Sequence, residues 1–332
     1  MMARKKHVDY IKAIGITLVI LGHINYANDV IKEWIYAFHM PLFYFATGVV
    51  IKRENIDYNY FIKKFQGLIV PYFIWGFIYA GCSFGSAVRI GYGSYHSISR
   101  AGSLTSLWFL PTMFIGVVLC QLVFKASQKV WIIAIMAVGA IGVSVSAPKI
   151  DIGYPWCADV SLLAAGFILF GHLFERIANK IMNTRGWVLL CIIGVALTFT
   201  YRLNSITANS YVLMANMRIG NPIVFLISAF GGCLMVYSVS RILEWLPVDK
   251  RLLSFVGTNT LVIFAVQKPI IHVFGKCFEV ISMYWLIELI VAGVGTLTCA
   301  CVLSFLIDRF APCLAGRSAT AYTKLSTREK GH

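Results

Sequence analysis

The amino-acid sequence predicts an all-α, polytopic membrane protein with about ten transmembrane helices. Of its 332 residues, 59% are hydrophobic and only 13% are charged, and a mean hydropathy of +0.77 is too apolar for a soluble domain. Apolar runs of roughly 20 residues recur, and a helix of that length spans a hydrocarbon core about 30 Å thick. The predicted spans are 8–27, 34–51, 66–88, 107–124, 130–147, 157–174, 186–202, 221–240, 255–275 and 283–307.

The connections between these spans are too short to hold a separate soluble domain. The sequence therefore predicts one integral membrane domain over residues 1–308, surrounded by membrane lipid. A basic cytoplasmic tail, expected to be flexible, follows over residues 309–332.

The net charge of +15 could indicate nucleic-acid binding, but the positions of the charges argue against it. With ten spans and a cytoplasmic N-terminus, 20 Lys and Arg residues fall in cytoplasmic segments and seven fall outside. Such an excess of basic residues on one side is the positive-inside rule of membrane proteins. We therefore expect an integral membrane protein with both termini in the cytoplasm and no nucleic-acid partner.

The first span carries three ionisable side chains, Asp9, Lys12 and His23. At 100° per residue they fall within a sector of about 60° on the helix. A charge is costly in hydrocarbon, so membrane proteins tend to keep one where it faces a cavity, a partner or a substrate. We interpret this stripe as a cavity wall. Gly15 and Gly22 share another face, where a neighbouring helix could approach closely.

The second span opens with Phe38-His-Met-Pro-Leu-Phe43, in which Pro41 is expected to kink or interrupt the helix. His39 lies near the outer start of this span, and His23 lies near the outer end of the first. Two histidines at one depth on antiparallel neighbours could face one site. A membrane histidine can also serve simply as a hydrogen-bonding group between helices.

Polar residues outside the first two spans give further indications of a site. Lys268 lies too deep in the ninth span to reach the membrane surface and is expected to line the cavity. The outer segments 89–106 and 203–220 are rich in hydroxyl, amide and aromatic side chains that could contact a sugar, although they could equally be plain connections. The nine cysteines form no C-x-x-C pair, and we predict neither a metal site nor a bound cofactor.

Together, Asp9-x-x-Lys12 with Gly22-His23 and Phe38-His-Met-Pro-Leu-Phe43 with Gly48 resemble the N-terminal signature of acyltransferase family 3. The resemblance is nearest to the fucose 4-O-acetylase-like subset and covers about residues 8–308. Later landmarks follow in order, namely Lys63-Lys64 running into Pro71-Tyr72, and Leu107-Trp-Phe-Leu110. Two positions depart from the family: Lys64-x-x-Gly67 replaces an R-x-x-R pair, and Gln267-Lys268 occurs where many relatives have a histidine.

The resemblance implies transfer of an acetyl group from cytoplasmic acetyl-CoA, as co-substrate, to a hydroxyl of an extracytoplasmic or lipid-linked glycan of the cell envelope. The resemblance also implies a bacterial cytoplasmic membrane as the location. A histidine is the usual base for a sugar hydroxyl, and His23 is the candidate. It would deprotonate the acceptor as the hydroxyl attacks either the thioester or an acyl-enzyme. Asp9 lies about 21 Å along the helix from His23, which is too far for Asp9 to orient the base directly. Asp159 and Glu288, at the depth of His23, are the candidates to orient the base, and each could instead be an interfacial charge.

Coenzyme A carries phosphate groups that require cations on the cytoplasmic side. Lys63, Lys64 and Lys12 are the candidates, because lysine binds phosphate as a point charge. Their alternative roles are topology anchors and, for Lys12, an ion pair with Asp9.

Two other functions fit part of the pattern. A transporter or substrate-binding membrane protein would also have cavity-facing charges and a broken helix. A membrane sensor or anchor without catalysis would leave the pairing of His23 and His39 unexplained.

Overall fold

A computed structural model describes residues 5–24, 29–99, 106–181, 183–208, 212–247, 249–281 and 284–317 of the chain. In these residues the protein is helical, apart from one isolated bridge between Leu213 and Arg218. Its α-helices are α1 Lys6–His23, α2 Asp29–Tyr36, α3 His39–Val50, α4 Tyr58–Lys64, α5 Val70–Ala80, α6 Phe84–Tyr92, α7 Tyr95–Ser99, α8 Phe109–Ala126, α9 Val130–Ser146, α10 Ala158–Ile181, α11 Thr184–Thr198, α12 Tyr201–Ala208, α13 Pro222–Trp245, α14 Arg251–Thr258, α15 Thr260–Val280 and α16 Trp285–Phe310.

Each predicted span coincides with helical structure, but the count of about ten transmembrane helices is not confirmed. Six helices in the described residues are long and apolar enough to cross a membrane, all of them from α8 onward. The other segments fall short for identifiable reasons. Helix α1 carries Lys6, Asp9 and Lys12, the second and third segments are interrupted, and α9 has 17 residues.

The interruption in the second segment lies one turn before Pro41. Helix α2 ends at Tyr36, the backbone leaves helical geometry at Phe38 (φ −142°, ψ −13°), and α3 begins at His39. Pro41 is therefore the third residue of a new helix, where a missing N–H costs no intrahelical hydrogen bond. The break places His39 at the start of a helix.

The third segment contains a π-helical turn, Phe65–Ile69, between α4 and α5. Pro71 follows in the first turn of α5 and cannot donate to the carbonyl of Gly67, four residues earlier. The short 3₁₀ helix Pro312–Ala315 packs beside this turn, and the Gly67 carbonyl contacts Gly316 closely. Gly316 has φ +67°, so a side chain there would be strained as well as blocked. Residues 318–332 of the predicted tail lie outside the described residues.

Close helix crossings form the core around α1, α3 and α10. A side chain at Gly48 would collide with the backbone of Ile168, and one at Gly171 with the backbone of Phe45, so α3 and α10 touch almost backbone to backbone. The glycine face predicted on α1 packs against side chains instead. A Cβ at Gly15 would lie 3.1 Å from Phe43 Cζ, and one at Gly22 would lie 3.2 Å from Tyr36 Cε2.

The bundle has two chemically different ends. At the first end, the start of α1 meets the ends of α10 and α13, where Lys5 Nζ lies 2.6 Å from Glu175 Oε1. Glu244 joins this charged cluster through His7 and Arg241, at 3.3 Å and 3.1 Å. At the second end, the C-terminal end of α1 meets the start of α3, which brings His23 and His39 together.

Candidate functional site

His23 and His39 face one small cavity of about 70 Å³ at the second end of the bundle. The ring of Tyr36 lies against both histidines, with centroid distances of 6.2 Å to His23 and 4.9 Å to His39. Ser106, Trp108 and Lys268 are among the other polar and aromatic residues of the wall. The depth match inferred from the sequence thus corresponds to a shared site.

One ring nitrogen of His39 is occupied by the backbone. Nδ1 lies 2.9 Å from the carbonyl oxygen of Ile35, which can only accept a hydrogen bond. In a neutral ring, Nδ1 therefore carries the proton and Nε2 carries the lone pair. The helix break makes this contact possible, because Ile35 belongs to α2 and His39 to α3.

Gln267 lies beside His23. The side chain of Gln267 interacts with that of His23, and it is wholly buried. Gln267 Nε2 donates to the carbonyl of Phe264 at 3.3 Å. His23 Nδ1 and Gln267 Oε1 are both buried without a hydrogen-bond partner among the described residues. With the proton on Nδ1, His23 is a donor and Gln267 Oε1 is an acceptor, so the two neighbouring side chains are chemically complementary.

Lys268 lines the cavity, as its depth in the ninth predicted span suggested. Pro269 follows it inside α15 and leaves the carbonyl of Ala265 without its helical donor. The hydroxyl of Tyr79 donates to that carbonyl at 2.9 Å. The helix therefore continues through Pro269, and it places Lys268 near enough to act electrostatically on His23.

Asp9 and Lys12 lie on the stripe of α1 but far from the histidine cavity. Asp9 is buried near the first end of the bundle, where its backbone contacts Gly257 closely. Fourteen helical residues, or about 21 Å, separate it from His23. The ionisable stripe on α1 therefore reaches two different regions of the bundle, with Asp9 near the first end and His23 at the second.

The structure does not bring Asp159 or Glu288 to His23. Asp159 lines a second, larger cavity that does not include His23. Glu288 lies in the first turn of α16 and is not part of the histidine cavity wall. Equal depth did not suffice. Helix α16 packs against the end of α1, where a Cβ at Gly293 would lie 2.9 Å from Leu21 Cδ2, but Glu288 is outside the cavity wall.

Lys63 and Lys64 end α4, next to the π-helical turn. Lys63 is exposed. Lys64 is half-buried, and its Nζ lies 5.3 Å from the centre of the Tyr60 ring. Burial lowers the pKa of Lys64, while the charge of Glu54 acts in the opposite direction. The paired lysines therefore have different environments, and Lys63 is the more freely hydrated cation.

Several residues of the site were missed in the sequence. Ser106 Oγ is buried in the cavity wall without a partner in the described part of the chain. Gln267 is adjacent in sequence to Lys268, and Tyr36 precedes His39 by three residues, so both positions carried a signal in the sequence. His96 lines the larger cavity. No group of three or more His, Cys, Asp or Glu residues in the described ranges could hold a metal ion.

Comparison with known protein families identifies one family whose model matches the chain. The model of the family Acyl_transf_3, described as an acyltransferase domain, matches residues 6–305. This range runs from the start of α1 almost to the end of α16 and includes every residue of the histidine cavity. Neither a curated protein nor a solved structure matches the chain.

Proposed function

Because the chain belongs to acyltransferase family 3 and is thus a membrane acyltransferase, we propose that it is an O-acetyltransferase of the cell envelope. The donor is cytoplasmic acetyl-CoA, and the acceptor is a hydroxyl of an extracytoplasmic or lipid-linked glycan. The family assignment favours this function over the transporter and sensor alternatives. The fucose 4-O-acetylase-like subset remains part of the proposal.

The observation that carries the proposal is the pair of histidines in one buried cavity, with Lys268 in the same wall. His23 acts as the general base. It takes the proton of the acceptor hydroxyl while the oxygen attacks the carbonyl carbon of the acetyl thioester. A C–O bond forms, the C–S bond breaks, and the proton on His23 passes to the leaving thiolate. The products are an O-acetyl ester and coenzyme A.

Three other groups assist in this scheme. The ammonium of Lys268 stabilises the negative charge that develops on the carbonyl oxygen. The buried hydroxyl of Ser106 is a second donor for the same oxygen. His39, fixed by the Ile35 carbonyl, offers Nε2 to accept a hydrogen bond from a neighbouring hydroxyl of the acceptor. These groups are placed before the reaction begins, which is the arrangement that favours charge development in a transition state.

The donor approaches from the first end of the bundle. Lys63, Lys64 and Lys12 bind the phosphates of coenzyme A there, and its long pantetheine arm carries the thioester along α1 toward His23. Lys63 is well suited to this role, because it is exposed at the end of α4. Lys12 is partly buried on the stripe of α1.

The test is acetyl transfer by the purified full-length protein and by His23→Ala. General-base catalysis contributes about 10²–10⁴-fold in rate, and the variant should lose about that much. His272→Ala is the matched control, because His272 is an exposed histidine of α15 outside the histidine cavity. Elution of each variant as a single species in detergent verifies folding. Near-normal transfer by well-folded His23→Ala would reject His23 as the base, and absence of acetyl-CoA turnover in the wild-type protein would reject the enzyme class proposed.

A further inference from the structure

A second cavity lies beside the histidine cavity and has a different size. Its volume is about 500 Å³, within the range of roughly 300–1,000 Å³ typical of sites that hold a whole small ligand. The histidine cavity, at about 70 Å³, has room for a reacting group only. Tyr95 and Ala215 belong to the walls of both cavities, so the two are neighbours.

The wall of the larger cavity has the chemistry of a polyol site. Its charges are balanced, with Lys149 and Arg218 against Asp151 and Asp159. An ionic ligand therefore has no excess of opposite charge to bind. Asn216 contributes an amide whose Oδ1 is buried without a partner in the described residues. A buried acceptor of this kind is costly unless a ligand or water donates to it.

The backbone around this cavity is held in an unusual conformation. The described chain has three non-glycine residues with positive φ, namely Trp156 (52°), Cys157 (48°) and Met217 (54°). Cys157 and Met217 line the cavity on opposite connections, and Trp156 precedes Cys157. Such conformations persist only where the surroundings enforce them, and they cluster at functional sites.

Hydrogen bonds between neighbouring segments hold the backbone around Trp156 and Cys157 in this conformation. Trp156 Nε1 donates to the carbonyl of Gly91 at 2.8 Å, and Tyr92 Oη donates to that of Gly153 at 2.9 Å. Ser94 Oγ donates to the Ile152 carbonyl at 2.6 Å. These contacts tie the connection before α10 to the end of α6 and to the connection between α6 and α7, so one side of the cavity is formed in advance.

The partition between the two cavities is a hairpin formed by residues 212–220. Leu213 and Arg218 exchange backbone hydrogen bonds of 2.8 Å and 3.1 Å. Asn204, buried in α12, donates to the Ile219 carbonyl at 3.0 Å and accepts from the Asn221 N–H at 2.8 Å. The hairpin begins in the wall of the histidine cavity and ends in the wall of the larger one.

We propose that the larger cavity binds one neutral sugar unit of the acceptor, and that hairpin 212–220 presents its hydroxyl to His23 at the junction formed by Tyr95 and Ala215. This inference rests on the proposed function, because that function supplies the reaction for which the hydroxyl is delivered. The cavity is the acceptor subsite, and Asn216 donates to or accepts from the sugar hydroxyls inside it.

The test is labelling of an introduced cysteine in the full-length protein in membranes. Ala147→Cys places a thiol in the cavity wall and leaves Asn216 in place, and Arg202→Cys places one on exposed α12 away from the cavity. Each variant reacts with a membrane-impermeant maleimide, with and without methyl glycosides of neutral hexoses and 6-deoxyhexoses. Mass spectrometry of the peptide that contains the new cysteine gives the labelling rate without interference from other thiols.

At a glycoside concentration ten times its dissociation constant, labelling at position 147 should slow about tenfold, while labelling at position 202 should not change. Equal slowing at both positions, no slowing at 147 by any glycoside, or a cysteine at 147 that does not react would each overturn the proposal. The experiment needs no acetyl-CoA. Selective protection in a protein that transfers no acetyl group would therefore support the sugar subsite and count only against the proposed function.

Discussion

At the scale of single residues, Gln267 is the group that the structure places next to the proposed base. Replacing it with Leu keeps the volume but removes the amide that can accept from His23 Nδ1. Loss of a buried hydrogen-bond partner costs about 1–3 kcal/mol, equivalent to roughly 5- to 150-fold in rate. We expect kcat for acetyl transfer to fall by that factor while KM for acetyl-CoA stays nearly constant, and steady-state kinetics measure both.

Ser238→Ala is the control for this prediction. Like the amide oxygen of Gln267, Ser238 Oγ is a buried polar atom without a partner in the described ranges. It lies in α13, outside the histidine cavity. Its removal should leave kcat unchanged. An unchanged kcat in Gln267→Leu as well would mean that His23 is oriented by another group.

At the scale of helices, the packing of α1 on α2 positions the aromatic ring between the histidines. A Cβ atom at Gly22 would lie 3.1 Å from Ile35 Cγ2 and 3.2 Å from Tyr36 Cε2. The Tyr36 side chain would have to move by a few tenths of an ångström, and it contacts both His23 and His39. Gly22→Ala should therefore reduce acetyl transfer at least severalfold, about the effect of 1 kcal/mol, with normal membrane levels.

Gly139→Ala provides the comparison, because a Cβ at Gly139 in α9 meets nothing within 4 Å. Alanine is favoured over glycine in a helix by about 0.5–1 kcal/mol, so this variant should be active and slightly more stable to heat. Equal activity of the two variants would show that the position of Tyr36 does not matter for the reaction.

Some of the site could be predicted from helical geometry alone. A rise of 1.5 Å per residue fixes the depth of His23 and His39 on antiparallel neighbours, and the structure places them at one cavity. Depth fixes neither the position of a helix around the bundle nor the direction of a side chain on it, so it could not show that Asp159 and Glu288 lie outside the histidine cavity. The sequence predicts an interruption at Pro41, but the structure places it at Phe38, because proline is tolerated in the first turn of a helix.

At the scale of the whole molecule, the charge distribution predicts the orientation in the membrane. Of 29 Lys and Arg residues, 20 fall on one side under the ten-span arrangement, and the structure gathers a charged cluster at the end opposite the histidines. C-terminal reporter fusions after residues 28–32 and 89–106 should report the outside. Fusions after residues 52–64 and at the C-terminus should report the cytoplasm. An inverted result for either pair would refute this orientation.

The small volume of the histidine cavity would limit the length of the acyl chain in the proposed reaction. With the acetyl group in a cavity of about 70 Å³, each further methylene would have to displace packed side chains, at a cost of about 1–3 kcal/mol. Propionyl-CoA and butyryl-CoA should thus lose kcat/KM in steps of roughly 5- to 150-fold. Met214→Ala, which removes a buried wall residue, should restore part of the loss for the longer chains. Equal use of all three donors by the wild-type protein would show that the acyl group lies elsewhere.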